Sequence, residues 1–179
     1  MRLNLIRKID FWLGIPLCFL FSIINIFLQQ RSFQKNDSIR DPIRKILFIK
    51  LSELGAIILS YPLLKSIQDQ YPHADLFFLT FEKNKDVFQI LDGVIKEDHV
   101  ITIREDSFPE FIRDTGKVLQ RFHREKMDII FDLEFFSRFT ALLSYLIQAK
   151  KRIGFDRYQF EGLYRGNLMT HRIQYNPLR

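Results

Sequence analysis

Four consecutive apolar residues, Ile46-Leu47-Phe48-Ile49, run straight into Lys50-Leu51-Ser52-Glu53-Leu54-Gly55, and there the apolar period changes. Ile57, Tyr61, Leu64, Ile67 and Tyr71 follow at steps of three and four, the spacing of one helix face. An apolar run without alternation marks a strand buried on both faces, as in a parallel sheet. Strand, short turn with one glycine, then helix is the opening unit of a doubly wound α/β domain. In such sheets ligands collect beyond the carboxyl ends of the strands, so a site is expected between Lys50 and Ala56. Pro62 falls inside the helical pattern and predicts a kink near Ile58, where one backbone hydrogen bond is lost.

The remaining elements alternate in the same way. Asp75–Phe81 reads as a second strand, Asn84–Leu91 as a short helix closed by the turn pair Asp92-Gly93, and His99–Ile103 as a third strand. Ser107-Phe108-Pro109-Glu110 has the spacing of a capping box with proline in the first turn. The helix it opens runs to about Glu125, with Phe111, Ile112, Val118, Leu119 and Phe122 on one face. Asp128–Leu133 is a fourth strand, and Glu134–Ser137 turns into a helix through Leu142, Leu143, Leu146 and Ile147. Arg152–Phe155 and Leu168–Tyr175 give a fifth and a sixth strand. Strands and helices alternating at this spacing predict a Rossmann-like parallel sheet covered on both faces.

A different segment precedes this domain. Phe11 to Leu28 is eighteen residues without a charge, about 27 Å long as a helix against a bilayer core of about 30 Å. Trp12 suits an interface, and Arg2, Arg7, Lys8 and Arg31 flank the stretch with positive charge. Residues 1–30 are therefore read as a membrane helix, either spanning or lying shallowly in the cytoplasmic leaflet. A signal peptide and a buried soluble helix are the competing readings, and Pro16 and Asn25 weaken the case for a plain spanning helix. Residues 31–42, polar with turn signals at Asn36-Asp37-Ser38 and Asp41-Pro42, read as a linker, and residues 43–179 as the α/β domain. That domain is expected to fold without the helix, because its sheet needs none of that apolar surface.

Charge and composition narrow the function. The chain has 179 residues, of which 47% are hydrophobic, enough for one substantial core. Its net charge of +6 is split, with residues 1–45 and 137–179 basic and residues 46–136 acidic. Nucleic-acid binders concentrate basic and aromatic side chains on one module. Two separated basic poles point instead to an anionic membrane surface at one and an anionic substrate at the other, or to two solvated faces. Cys18 is the one cysteine, so no intrachain disulfide forms, and the four histidines lack partners at metal-ligand spacing. One glycine is not a dinucleotide fingerprint, and neither a Walker loop nor a nucleophile elbow is present.

Lys45-Ile-Leu-Phe-Ile-Lys-Leu-Ser-Glu-Leu-Gly55, the following Ile-Ile-Leu-Ser-Tyr-Pro-Leu-Leu, and Tyr71-Pro72-x-Ala74 resemble the opening of glycosyltransferase family 9, the ADP-heptose:lipopolysaccharide heptosyltransferases. Asp132-Leu-Glu-Phe-Phe-Ser-Arg-Phe139, Lys151-Arg-Ile-Gly-Phe155 and Thr170-His-Arg-Ile173 fit the same family in order and spacing. The resemblance covers roughly residues 43–179. It implies a GT-B fold, two Rossmann-like domains facing across a cleft, of which this chain resembles the N-terminal, acceptor-side half. It further implies inverting transfer, without a metal or other cofactor, at the cytoplasmic face of the bacterial inner membrane. The nucleotide-sugar donor, such as ADP-heptose, would be bound by a second domain that these residues do not contain.

The residues so placed around an anionic glycolipid or glycan acceptor are Lys50, Ser52, Glu53, Gly55 and Ala56 at the first turn. Phe135, Ser137 and Arg138 belong to the second turn, with Arg157 for an anionic group. For Ser137 and Arg138, a helix cap and a surface arginine are the plainer readings. One position departs from the family. Where an aspartate typically follows Leu-Gly as the proposed general base, this chain has Ala56, whose methyl group cannot accept a proton. Glu53 is the substitute candidate, and its plainer reading is a solvated loop carboxylate. Two functions stay open, a half of a glycosyltransferase and a non-catalytic, membrane-tethered binding or scaffold protein. A receiver-like domain is a thinner third, since only Glu53 and Asp132 to Glu134 supply acids at strand ends.

Overall fold

The computed structural model describes residues 10–32, 42–91, 93–135, 137–155 and 165–174. Six strands form one sheet: β1 (Lys45–Ile49), β2 (Asp75–Phe81), β3 (Val100–Ile103), β4 (Ile129–Asp132), β5 (Lys151–Phe155) and β6 (His171–Ile173). Their order is β3-β2-β1-β4-β5-β6, and every neighbouring pair is parallel. This is the doubly wound order in which the chain starts at the centre, builds outward on one side, and returns to the centre to build the other. The crevice between β1 and β4 is thereby the switch point.

The alternation of strand side chains divides the core into two layers. Leu47, Ile49, Phe77, Leu79 and Ile130 face one side, against Val118 and Phe122 of α4 (Phe108–Glu125) and Leu143 and Ile147 of α5 (Arg138–Ile147). Ile46, Phe48, Leu76, Phe78 and Ile129 face the other. They pack on Ile57 of α2 (Leu54–Leu59), on Leu64 and Ile67 of α3 (Tyr61–Gln70), and on Val87 and Phe88 of a 3-10 segment (Glu82–Ile90). The Ser107 cap is present: its Oγ accepts from Glu110 N at 3.4 Å and donates to Glu110 Oε2 at 3.0 Å.

Three elements differ from expectation. The helix after β1 is not one kinked rod. It breaks at Ser60 and restarts with Pro62 in the first turn of α3, where the missing N–H leaves no bond unmade. Ser60 Oγ covers the exposed end by donating to Ile57 O at 2.6 Å. The helix expected over Asn84–Leu91 winds as a 3-10 segment starting at Glu82. The sixth strand is only His171–Ile173.

The apolar N-terminal stretch is α1 (Gly14–Ser32), preceded by helical residues from Asp10. Pro16 falls in its first turn, where proline is tolerated. The helix meets none of the sheet's two core layers, but it is joined to the domain. Cys18 packs with Ala141, Leu168 and Met169, and Phe21 stacks obliquely on Tyr145 of α5 at 5.5 Å. The domain-side surface it covers includes Arg138 and Gly166. Residues 33–41 of the expected linker lie outside the described residues.

Candidate functional site

The turn after β1 is fastened from three directions. Lys50 N donates to Leu79 O at 3.1 Å, which continues the sheet one residue past the strand. Leu51 O accepts from Phe81 N at 3.3 Å and from Asn84 Nδ2 at 2.9 Å. From the β4 side, Glu134 Oε1 accepts from Leu51 N at 2.9 Å, Ser52 N at 3.0 Å and Ser52 Oγ at 3.2 Å. Its second oxygen accepts from Lys50 Nζ at 3.1 Å. One buried carboxylate thus ties the β1 turn to the β4 turn across the switch point.

Lys50 is 2% exposed and donates to Glu53 Oε2 at 3.2 Å as well. Its ammonium lies 5.9 Å from the Phe135 ring centroid, and that ring stacks on Phe155 at 4.4 Å. A buried ammonium requires such partners, since an unpaired charge in this position is costly. Glu53 itself is 70% exposed and has φ +67°. A glutamate in that left-handed region is held there by its surroundings, and such residues collect at functional sites. Beside it Leu54 and Gly55 are exposed, and a side chain at Gly55 would meet nothing within 4 Å.

The β4 turn is a second network. Asp132 is fully buried and accepts from Arg165 Nη2 at 2.5 Å, Thr140 Oγ1 at 3.1 Å and Glu134 N at 3.1 Å. Burial pushes its carboxyl up from the ordinary value, against the pull of the Arg165 guanidinium. Arg165 also donates to Ser137 O at 3.0 Å and Phe155 O at 3.1 Å. Ser137 is the N-cap of α5, accepting from Thr140 N at 3.2 Å.

Lys50, Ser52, Glu53, Gly55, Ala56 and Phe135 therefore lie on the two turns at the carboxyl ends of β1 and β4, with Lys50 beneath the surface. Ala56 is half-buried on the first turn of α2 and presents only its methyl group. Arg138 is removed from the acceptor contacts. It is buried, donates to Asp10 Oδ2 at 2.9 Å, and faces α1 rather than the crevice. Arg157 lies outside the described residues. The late basic segment is not a cationic surface throughout, because Arg138, Arg152 and Arg165 are all buried. From sequence Glu134 stands out only as a strand-end acid, not as the tie between the two turns, and Arg165 does not stand out at all. The pair Asp132-x-Glu134 directly after an apolar strand was the available signal for the first, and no local signal marks the second.

A cavity of about 560 Å³ lies at the opposite, amino-terminal end of β1 and β4, lined by Lys45, His123, Lys126 and Asp128 among others. The crevice at the carboxyl ends is preferred because there the strand order reverses and backbone and side-chain polar groups converge. Among the described residues no cluster of three or more His, Cys, Asp or Glu could hold a metal ion.

Comparison with solved structures agrees with the topology. A glycosyl transferase of family 9 from Veillonella parvula superposes with a TM-score of 0.60 and 22% identity, covering 76% of this chain and 38% of that one. The fold is that of a GT-B glycosyltransferase domain. The Escherichia coli heptosyltransferase WaaC, solved with ADP-2-deoxy-2-fluoro heptose, matches at TM-score 0.59 and 14% identity, over 75% of this chain and 44% of that one. Acinetobacter baumannii MurG matches at 0.55 and 10%, over 75% and 42% respectively. The chain thus spans about two fifths of the length of each of these structures. The family that the ordered sequence blocks resemble is the one to which the Veillonella parvula structure belongs. No protein-family model matches the chain, and no curated protein does.

Proposed function

We propose that the chain is the acceptor-binding half of an inverting glycosyltransferase. It would move a heptose or related sugar from a nucleotide-sugar such as ADP-heptose to an anionic lipopolysaccharide-type acceptor. In this reading the work is done at the cytoplasmic face of a bacterial inner membrane, and a second Rossmann-like domain binds the donor. One observation carries it: the Lys50–Glu53–Glu134 clamp at the switch point of a glycosyltransferase fold, with open space at Gly55 and the Phe135 ring beside it. An exposed carboxylate, a hydroxyl and an aromatic ring are the groups that hold a sugar's hydroxyls and its apolar face.

The test uses deacylated lipopolysaccharide core oligosaccharide, which cannot partition through lipid, followed by saturation-transfer NMR on the full chain. Binding is expected, and Gly55→Trp, whose Cβ meets nothing within 4 Å, is expected to abolish it by setting a bulky ring beside Glu53. An oligosaccharide that does not bind the natural chain overturns the assignment.

A second reading, a non-catalytic binding or scaffold protein, is favoured by two features of the same site. Ala56 offers no base, and Glu134 has its oxygens engaged by four donors. Both readings bind the oligosaccharide. Transfer from ADP-heptose, with a donor-binding half supplied in trans, separates them.

A further inference from the structure

Helix α1 is built inside out for a soluble protein. Its domain-facing stripe is Gly14, Cys18, Ser22 and Asn25, all buried and all small or polar. Its outward side carries Phe11, Trp12, Leu13, Leu17, Phe19, Leu20, Ile23, Ile24, Ile26 and Phe27, each more than a third exposed. Only 22% of the apolar window is buried, so this is not a core helix.

The stripe is fixed to the domain by specific bonds. Asp10 Oδ1 accepts from Arg138 N at 3.1 Å and Phe139 N at 3.2 Å, two of the free donors that open α5. Ser22 Oγ accepts from Asn167 N at 2.7 Å, and Asn25 Nδ2 donates to Asn167 O at 2.7 Å. The surfaces approach closely: a Cβ on Gly14 would lie 2.9 Å from Arg138 Cδ, and one on Gly166 would lie 2.5 Å from Ser22 Oγ.

We infer that α1 is a monotopic lipid-facing helix, lying in the plane of one anionic leaflet while it stays docked on α5 and the Arg165–Met169 segment. This deepens the membrane part of the proposed function. A docked helix has protein along one side and cannot be surrounded by hydrocarbon. Undocking it to span would carry Ser22 and Asn25 into the bilayer and strip the buried Arg138 of Asp10. The charge pattern selects lipid over a second copy or a protein partner. Arg2, Arg7 and Lys8 precede the apolar stretch and Arg31 follows it. A spanning helix puts these on opposite sides of the membrane, against the bias of Lys and Arg to one side. An in-plane helix lays both basic ends on one headgroup surface.

Trp12 is the single tryptophan, and it stands on the exposed face. The full chain is mixed with vesicles of phosphatidylglycerol and phosphatidylethanolamine, or of phosphatidylcholine alone, carrying lipids brominated at defined depths. A Trp12→Phe/Phe19→Trp variant moves the reporter seven residues along the same exposed side, to the middle of the apolar stretch. Both reporters are expected at one shallow depth, with partition into anionic vesicles at least about tenfold stronger and falling as salt rises. Depths differing by about 10 Å, the rise of seven helical residues, overturn the inference in favour of spanning. Equal partition into phosphatidylcholine overturns the anionic assignment, and no partition into either vesicle overturns lipid as the occupant. Because oligosaccharide binding is read without lipid, either result can fail alone.

Discussion

Replacing Glu134 by alanine removes the acceptor of four hydrogen bonds at once. Leu51 N and Ser52 N lose their partner, and Lys50, 2% exposed, is left with Glu53 alone. Removing one member of a buried ion pair costs about 3–5 kcal/mol, and each stranded donor about 1–3 kcal/mol. These do not add, because Ser52 is half exposed and water reaches it once the carboxylate is gone. About 3 kcal/mol is therefore expected, near the low end of the ion-pair range. For a chain of this size that corresponds to a fall in Tm of about 6–12 °C. Urea unfolding of the full chain in mild detergent, followed by far-UV circular dichroism, measures it. Lys50→Met together with Glu134→Gln keeps the acceptor for both backbone donors and removes the charge, so the pair should recover at least half of the loss. A cost of Glu134→Ala below about 1 kcal/mol, or no recovery in the pair, would falsify the clamp.

The Arg104 guanidinium donates to Asp114 at 2.8 and 3.0 Å and holds that carboxyl down to about 2 from 3.8. A depressed carboxyl stabilises the fold above its unfolded value, so this contribution should be complete above pH about 4 and fade as pH falls toward 2. Asp114→Asn should flatten that part of an acid-unfolding curve; an unchanged curve refutes the assignment. Glu53→Gly relieves the left-handed strain but takes one of two carboxylates from the buried Lys50 ammonium, so stability should change by less than about 1 kcal/mol while oligosaccharide binding weakens, read by thermal unfolding and by NMR on the same sample. With a donor-binding half supplied in trans, Ala56→Asp should raise the chemical step by at least tenfold in a single-turnover assay, since a positioned base contributes about 10²–10⁴-fold. If Glu53→Gln instead removes most of the natural activity, Glu53 is the base.

What could be read from the sequence followed the range of the interactions. The β1 run and the Ser107 cap were legible because strand burial and capping act over a few residues. The break at Ser60 was misplaced by two residues, since a proline allows either a kink within a helix or a fresh start, and local packing selects between them. Glu134 reads from sequence as a strand-end acid, but its role as a tie is hidden because its partners at Lys50 to Ser52 lie more than eighty residues away. Arg138 shows the same limit with the sign reversed. A positive charge in a basic segment reads as surface, and only the fold reveals a carboxylate waiting inside.

That carboxylate, Asp10, is 128 residues ahead of Arg138 in the chain. On a ribosome elongating at about 5–20 residues per second, the helix is made roughly 6–26 s before its docking partner exists. During that interval its apolar face and its small polar stripe are both uncovered, with no domain yet to choose between them. If α1 is the lipid-facing helix inferred above, a membrane meets it before the domain does. The sheet is then completed beside a segment already at the lipid surface, and the Asp10–Arg138 contact is made only as the domain settles onto its own anchor.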